Sequence, residues 1–508
     1  MNPWARTVRN EKGVALPLAL FALVSLTAFV LTFVSMGQME PQVSRNLSDS
    51  SQARYTADSG VEAAFDQLAN APGAGAGSWT ALLQGPAVAG SNPPAVWLTP
   101  VAGGNPVQQT LPGLTQAFGT YTVQVRNDSV ATDQALTGTA PEVGVANADN
   151  NGTVIVTATG TYRGVTRTIQ VVLRRVTLPP FQGAYSMPGV QADIMATSNS
   201  NFSIDGRDYM CTANCSDPDF AKRTYALNAN QANKKYGIAV SGTADASTMP
   251  APGIAPPPPG STPGTQWNSN PQVSYETVIE NDLNNSQELN VIGKDQTNPG
   301  GAAVKGVNTI APTGAADKVD PVVMQNFLNQ LASFSGTTVL QSKIACPMVL
   351  TGNSSGAYTS KPTLTNGCGV NQTLDLGTRQ DPKLVYFRGE LDPSSSFTGL
   401  RMLNNIQGAG ILVVEDGDLR TLGNLTWDGI VIVTGRYVST IFDAGSNVNV
   451  TGVTVSNETV WNEGGNQNQN PYYDGYFGGN MTTLRYSKES VDSMQRKLLF
   501  RMSTWREL

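Results

Sequence analysis

The chain has 508 residues, 32 Lys and Arg against 38 Asp and Glu, a formal charge of −6 and no histidine. Length sets two to four domains, or fewer if one is an elongated repeat. The acidic balance, with only 14% of residues charged, gives no nucleic-acid footprint. The missing histidine removes every Ser-His-Asp or Cys-His arrangement and every His-based zinc site. Carboxylate, lysine or serine–lysine chemistry stays formally open, but no paired-carboxylate motif points to it, and the chain reads as a non-enzyme. Gly (51) and Pro (31) are abundant, as in an exported, loop-rich β protein.

Arg6, Arg9 and Lys12 precede an uncharged run from Val14 to Met36. At about 1.5 Å per residue that run spans the roughly 30 Å hydrocarbon layer. It is longer than a secretory apolar region, and the basic flank places the N-terminus in the cytoplasm. The helical pattern continues over 42–71, where Ala57, Val61, Ala64, Phe65 and Leu68 share one face. Pro41 is expected to kink the rod, and Pro72-Gly73 to end it.

A short basic leader, Lys12-Gly13, and an apolar helix that becomes amphipathic resemble a type IV prepilin. The stretch "ARYTADSGVEAA", Ala53 to Ala64, is similar to the signature of minor pilins and pilus assembly proteins of the PilX N-terminal-domain family. The resemblance implies a leader over 1–13, cut between Gly13 and Val14 by a prepilin peptidase that methylates the new terminus. It implies a helix over 14–71, with 14–36 in the inner membrane, that packs against other pilins. The remaining partners it implies are an inner-membrane assembly platform and a tip adhesin. Most pilins carry glutamate at the fifth mature position, where this chain has Leu18 after Pro17. The K pseudopilin of type II secretion shares that lack. A carboxylate in an apolar bundle needs a cation beside it, so Leu18 implies a tip-proximal or priming subunit. A K-type pseudopilin and a non-polymerising membrane-anchored surface protein stand as alternatives.

Residues 72–178 read as a β-rich, pilin-like head. Tyr121, Val123 and Val125 alternate onto one face, and "NNGTVIVTATGTYRGVTRTIQVVLRR" holds two strands about a turn at Arg163-Gly164. Residues 179–384 read as an irregular exported region with a proline-rich linker at 249–263. Within it Asp205, Asp208, Asp217 and Asp219 crowd the first cysteine pair. Calcium takes such oxygens, although the spacing fits no EF-hand loop. The four cysteines, Cys211, Cys215, Cys346 and Cys368, allow three pairings, of which nearest-neighbour pairing is expected. A zinc site built from all four is the rival, with Cys346 and Cys368 far apart for it. Pro321 after Asp320 signals a helix start, and Met324, Phe327, Leu328, Leu331 and Phe334 fill its apolar face.

Three segments then align without gaps: "NIQGAGILVV" from Asn405, "NLTWDGIVIV" from Asn424 and "NVNVTGVTVS" from Asn447. Their asparagines lie 19 and 23 residues apart, and Gly410, Gly429 and Gly452 hold one offset. A period near 20 with short strands predicts stacked rungs of a β-helix or solenoid over 385–460, with asparagine ladders between rungs. The stretch from Gly410 to Gly435 is also similar to the C-terminal region of long PilX-N-type proteins. Residues 461–508 read as a loop and a helix, with Val491, Met494, Leu498, Met502 and Trp505 at helical spacing. The expected class is α+β, mainly β: a long N-terminal transmembrane and amphipathic helix, an antiparallel head, and a C-terminal solenoid-like region.

Overall fold

The computed structural model describes residues 15–70, 79–189, 192, 194–197, 202–241, 279, 282–294, 307–310, 321–334, 337–390, 398–436, 438–443, 445–459 and 474–508. Lys12, Gly13, Val14, Asp320 and the 249–263 linker lie outside them. Helix α1 is Ala15–Asn70, 56 residues, which is about 84 Å of rod. It continues through Pro41.

The second half of α1 lies on an antiparallel sheet. Strands β1 (Thr120–Asn127), β2 (Thr153–Tyr162) and β3 (Val165–Arg175) run in order, with the short Val96–Trp97 beside β1. Ala57, Val61, Ala64 and Leu68 of the helix are buried in one core with Tyr121, Val123, Val125, Val156, Ala158, Ile169, Val171 and Leu173. The helical and the alternating patterns therefore meet face to face. Gly160 on β2 is a point of close approach. A Cβ there would fall 2.3 Å from both the Ala53 carbonyl oxygen and the Ala57 nitrogen.

The far edge of this sheet corrects the expectation of a C-terminal helix. Helix α3 (Lys488–Leu498) stops before Met502 and Trp505. Those two residues sit in a last strand, Phe500–Glu507, which pairs antiparallel with β3 from Phe500 opposite Arg175 to Glu507 opposite Ile169. Five apolar residues fit helical spacing, but the open edge of β3 supplies backbone partners that a continued helix would leave without a ladder. The head is thus assembled from both ends of the sequence, and residues between Arg175 and Phe500 are inserted into it. The two connections lie side by side, with the Val176 N–H donating to the Leu499 carbonyl at 2.9 Å.

In the insertion the chain alternates between two sheets. Strands β4 (Lys383–Arg388), β6 (Ile406–Glu415), β8 (Leu425–Gly435), β10 (Asn447–Glu458) and β12 (Met481–Tyr486) form one sheet. Strands β5 (Thr398–Leu403), β7 (Asp418–Thr421), β9 (Thr440–Phe442) and β11 (Gly475–Phe477) form the other. Consecutive members of each sheet pair in parallel. The stack is not confined to 385–460. Phe202–Asp205 and Val339–Gln341 join the first sheet, and Ile194–Ala196 and Met348–Thr351 the second. So 179–384 is not simply irregular.

The three repeated segments lie in exact register, Gly410 opposite Gly429 and Gly429 opposite Gly452. Their φ angles are 137°, 134° and 143°, a region that L side chains rarely adopt. The asparagines stack as well. Asn424 Nδ2 donates to Asn405 Oδ1 at 2.7 Å, and Asn447 Nδ2 donates to Asn424 Oδ1 at 2.8 Å. Strands β6 and β8 are buried along nearly all their length, which explains their near-continuous apolar runs. One face meets the second sheet, and α3 packs on the other, touching β6, β8 and β10. Helix α2 (Pro321–Ser333) contributes Met324, Phe327, Leu328 and Leu331, and Phe334 follows, all in this same core.

Candidate functional site

The first half of α1 is the surface that stands out. Thirteen large apolar side chains from Leu16 to Met36 are between 51% and 77% exposed. No charge interrupts them, so the helix forms without a polar face to solvate it. At about 1.5–3 kcal/mol each, burying them would be worth on the order of 20–40 kcal/mol. Such a surface does not stay in water. The helix is long and apolar enough to cross a membrane. Leu18 lies on this surface at 66% exposure, so a neutral side chain stands there. The apolar exposure continues past the 14–36 span through Met39, Val43 and Leu47, before Asp49 and Ala53 begin the contact with the head.

The structure joins Cys211 to Cys215 and Cys346 to Cys368, each with 5.8 Å between Cα atoms. It does not gather the four acids proposed for calcium. Asp205 is taken by Arg207 and by the Tyr209 hydroxyl at 2.8 Å. Asp208 accepts from the Lys488 N–H at 2.9 Å and from Asn228 Nδ2 at 3.1 Å. Asp217 accepts from the Asp219 N–H, and Asp219 caps a single 3-10 turn through the Ala221 N–H. Each acid thus has partners of its own, and Asp208 holds the start of α3. Among the described residues no group of three or more Asp, Glu, His or Cys side chains is arranged to hold a metal.

A buried charge network went unread in the sequence. Asp428, just before the repeat glycine on β8, accepts from Tyr225 Oη at 2.7 Å, Arg379 Nη1 at 3.0 Å and Arg223 Nη1 at 3.3 Å. Arg223 and Asp428 have fully buried side chains. Arg379 also pairs with Glu489 of α3, and Glu489 in turn accepts from the Cys211 N–H at 3.0 Å. Burial works against the Arg379 charge, but Asp428 and Glu489 outweigh it and its pKa lies above the ordinary value. Burial, then Asp428, pushes the Tyr225 hydroxyl up. The network fastens the disulfide hairpin, Tyr209–Ala213 with Thr224–Leu227, and α3 onto the parallel stack. Arg223 and Asp428 lie at its buried centre, and Glu489 at its rim is 46% exposed. Its only signal was an acid where the other repeats have Ala409 and Thr451.

No protein-family model matches the sequence, and no curated protein matches it. Among solved structures, the crystal structure of the competence-associated pilin ComZ from Thermus thermophilus is similar to this chain at 15% identity. That match covers 91% of this chain and 97% of the other, with a TM-score of 0.19.

Proposed function

We propose that the chain is a type IV pilin-like subunit that works by assembly and surface binding rather than by catalysis. The observation that carries the reading is α1: one 56-residue helix, bare and apolar in its first half and packed on an antiparallel sheet in its second. The precursor would sit in the inner membrane with its N-terminus cytoplasmic. A prepilin peptidase would cut between Gly13 and Val14, and the exposed apolar face would then move from lipid to the helices of other subunits at the assembly platform. The alternating parallel strands support reading the insertion as a short β-solenoid. A body of that size, carried on one edge of the head, suits a tip-proximal or priming position with no subunit stacked above, and a surface for an adhesin or a target. The final location would be a pilus or the cell surface. Leu18 favours one second reading, a K-type pseudopilin of a type II secretion system.

The test is intact-mass analysis of the N-terminus from native cells, with and without Gly13→Val. A mature chain starting at methylated Val14, lost in the variant, is expected. An unprocessed Met1 start would refute the pilin reading and leave a membrane-anchored surface protein.

A further inference from the structure

The head carries a buried polar loop that assembly does not use. Between β1 and β2 the chain folds back on itself, with the Glu142 and Gly144 N–H groups donating to the carbonyls of Asp128 and Ser129, both at 2.9 Å. Asn127 Nδ2 donates to Glu142 Oε2 at 2.9 Å and to the carbonyls of Val145 and Ala148 at 2.7 and 2.6 Å. Asp133 is paired with Arg126. Asp149 accepts N–H groups from Trp79, Gly152 and Thr153.

What remains is a row of oxygens. Among the described residues Asn127 Oδ1, Asp128 Oδ1 and Ser129 Oγ have no hydrogen-bond partner, and the three residues are 0%, 0% and 5% exposed. The Asp128 carboxylate accepts from Asn151 Nδ2 at 2.9 Å and from the Glu142 backbone N–H. The charges acting on Asp128 are those of Glu142 and Asp149, both of its own sign. A carboxylate out of water without a counter-charge either takes up a proton or holds a cation. The unpartnered atoms are all oxygens, in carboxylate, amide and hydroxyl form, and the Glu142 carboxylate beside them accepts the Asn150 N–H at 3.0 and 3.1 Å. That mixture suits a hard ion with many oxygen ligands and offers zinc no sulfur or nitrogen.

We propose that this loop binds one divalent cation of the calcium class, with the Asp128 and Glu142 carboxylates as charged ligands and Asn127 and Ser129 adding oxygens. The cation would fasten the loop against both ends of the head. Asp149 of the loop holds the Trp79 N–H, and the Leu136 carbonyl accepts from Thr504 of the last strand at 3.0 Å. The proposal is independent of filament assembly.

The test uses the full chain in detergent, stripped with EDTA, at pH 7.5. Thermal unfolding is followed against CaCl2 and MgCl2, and bound calcium is counted by equilibrium dialysis. One calcium per chain and a melting temperature raised by several degrees are expected, with magnesium needing at least about tenfold higher concentration. Asp128→Asn should fold in EDTA with a melting temperature no lower than that of the parent, and should lose the calcium shift. Should that variant not fold, Glu142→Gln is measured instead, with calcium affinity expected to fall about tenfold or more. A parent protein indifferent to millimolar calcium but stabilised on acidification to pH 5 overturns the proposal in favour of a proton. A calcium shift retained in Asp128→Asn, or unchanged affinity in Glu142→Gln, overturns it by placing the ion elsewhere.

Discussion

Gly429→Ala tests whether the glycine column holds the parallel stack in register. A Cβ at this position would lie 2.2 Å from the Gly410 carbonyl oxygen on the neighbouring strand, and the residue sits at φ 134°. The backbone strain is worth about 1–3 kcal/mol, and forcing the strands apart adds about 1–3 kcal/mol. The expected loss is therefore about 2–6 kcal/mol. Trp427 provides the probe, because its side chain is fully buried and its indole N–H donates to that same Gly410 carbonyl at 3.2 Å. Tryptophan emission against urea should show an earlier transition in the variant and a redder native-state spectrum. Gly90→Ala is the control: φ is 72° and nothing lies within 4 Å of its added Cβ, so it bears left-handed strain alone, about 1–2 kcal/mol. Equal midpoints for Gly429→Ala and Gly90→Ala would refute the argument, since the column would then contribute no steric term.

Asp428→Asn should destabilise the insertion by about 3–5 kcal/mol, because it leaves two buried guanidiniums without their shared counter-charge. Asp443→Asn, at the more exposed pair with Arg420, should cost about 1 kcal/mol or less, and urea midpoints compare the two. Asp416 has its pKa pushed up to about 6, first by burial and then by the Glu415 charge. Its folded state holds a proton more tightly than its unfolded state. The stabilisation is therefore full below the unfolded value near 3.8 and is lost as pH rises through about 6. Asp416→Asn, which tolerates φ 55°, should flatten the fall in melting temperature between pH 5 and 7; an unchanged slope would refute the assignment. Breaking Cys346–Cys368, with a sequence separation of 22, should cost about 3 kcal/mol, against about 2 kcal/mol for Cys211–Cys215, with a separation of 4. Paired Cys→Ser variants in urea would show the reverse order if loop length is not what matters.

How legible a feature was depended on whether its cause is local. The helix follows from an uncharged run that passes into a 3.6-residue period, and the face named from that period is buried at Ala57, Val61, Ala64 and Leu68 and partly buried at Phe65. Tyr121, Val123 and Val125 alternate into the core because strand geometry does the same. The Asn and Gly offsets of the repeat become a ladder and a column because parallel rungs stack like on like. The last strand was misread for a physical reason. Met502 and Trp505 continue the helical spacing of Leu498, a bulge between Met502 and Thr504 breaks the alternation, and only the edge of β3, far back in the chain, decides for a strand. The Asp428 network was hidden in the same way, since Arg223 lies 205 residues from its partner and Arg379 lies 49 away. Strands such as Phe202–Asp205 escaped notice because each is too short to show a period and finds its partners far along the chain, at Val291–Ile292 and Met481–Tyr486.

The insertion point explains how one chain carries both a long helix and a large body. Both connections leave the head at the same place, joined by the Val176–Leu499 hydrogen bond. The insertion can therefore grow without separating β3 from the last strand. The residues on either side belong to different cores: Val176, Leu178 and Phe181 to the insertion, Phe500 to the head. Phe500 also packs on Phe65 of α1 with ring centroids 4.4 Å apart, and on Trp79 at 5.8 Å. A pull on the inserted body is thus passed through two adjacent strands into the sheet, and through Phe500 directly into the helix. A body tethered by one flexible chain could not load the rod in that way. Two adjacent connections joined by a hydrogen bond, over a shared aromatic contact, tie the inserted body to the helix at two points rather than one.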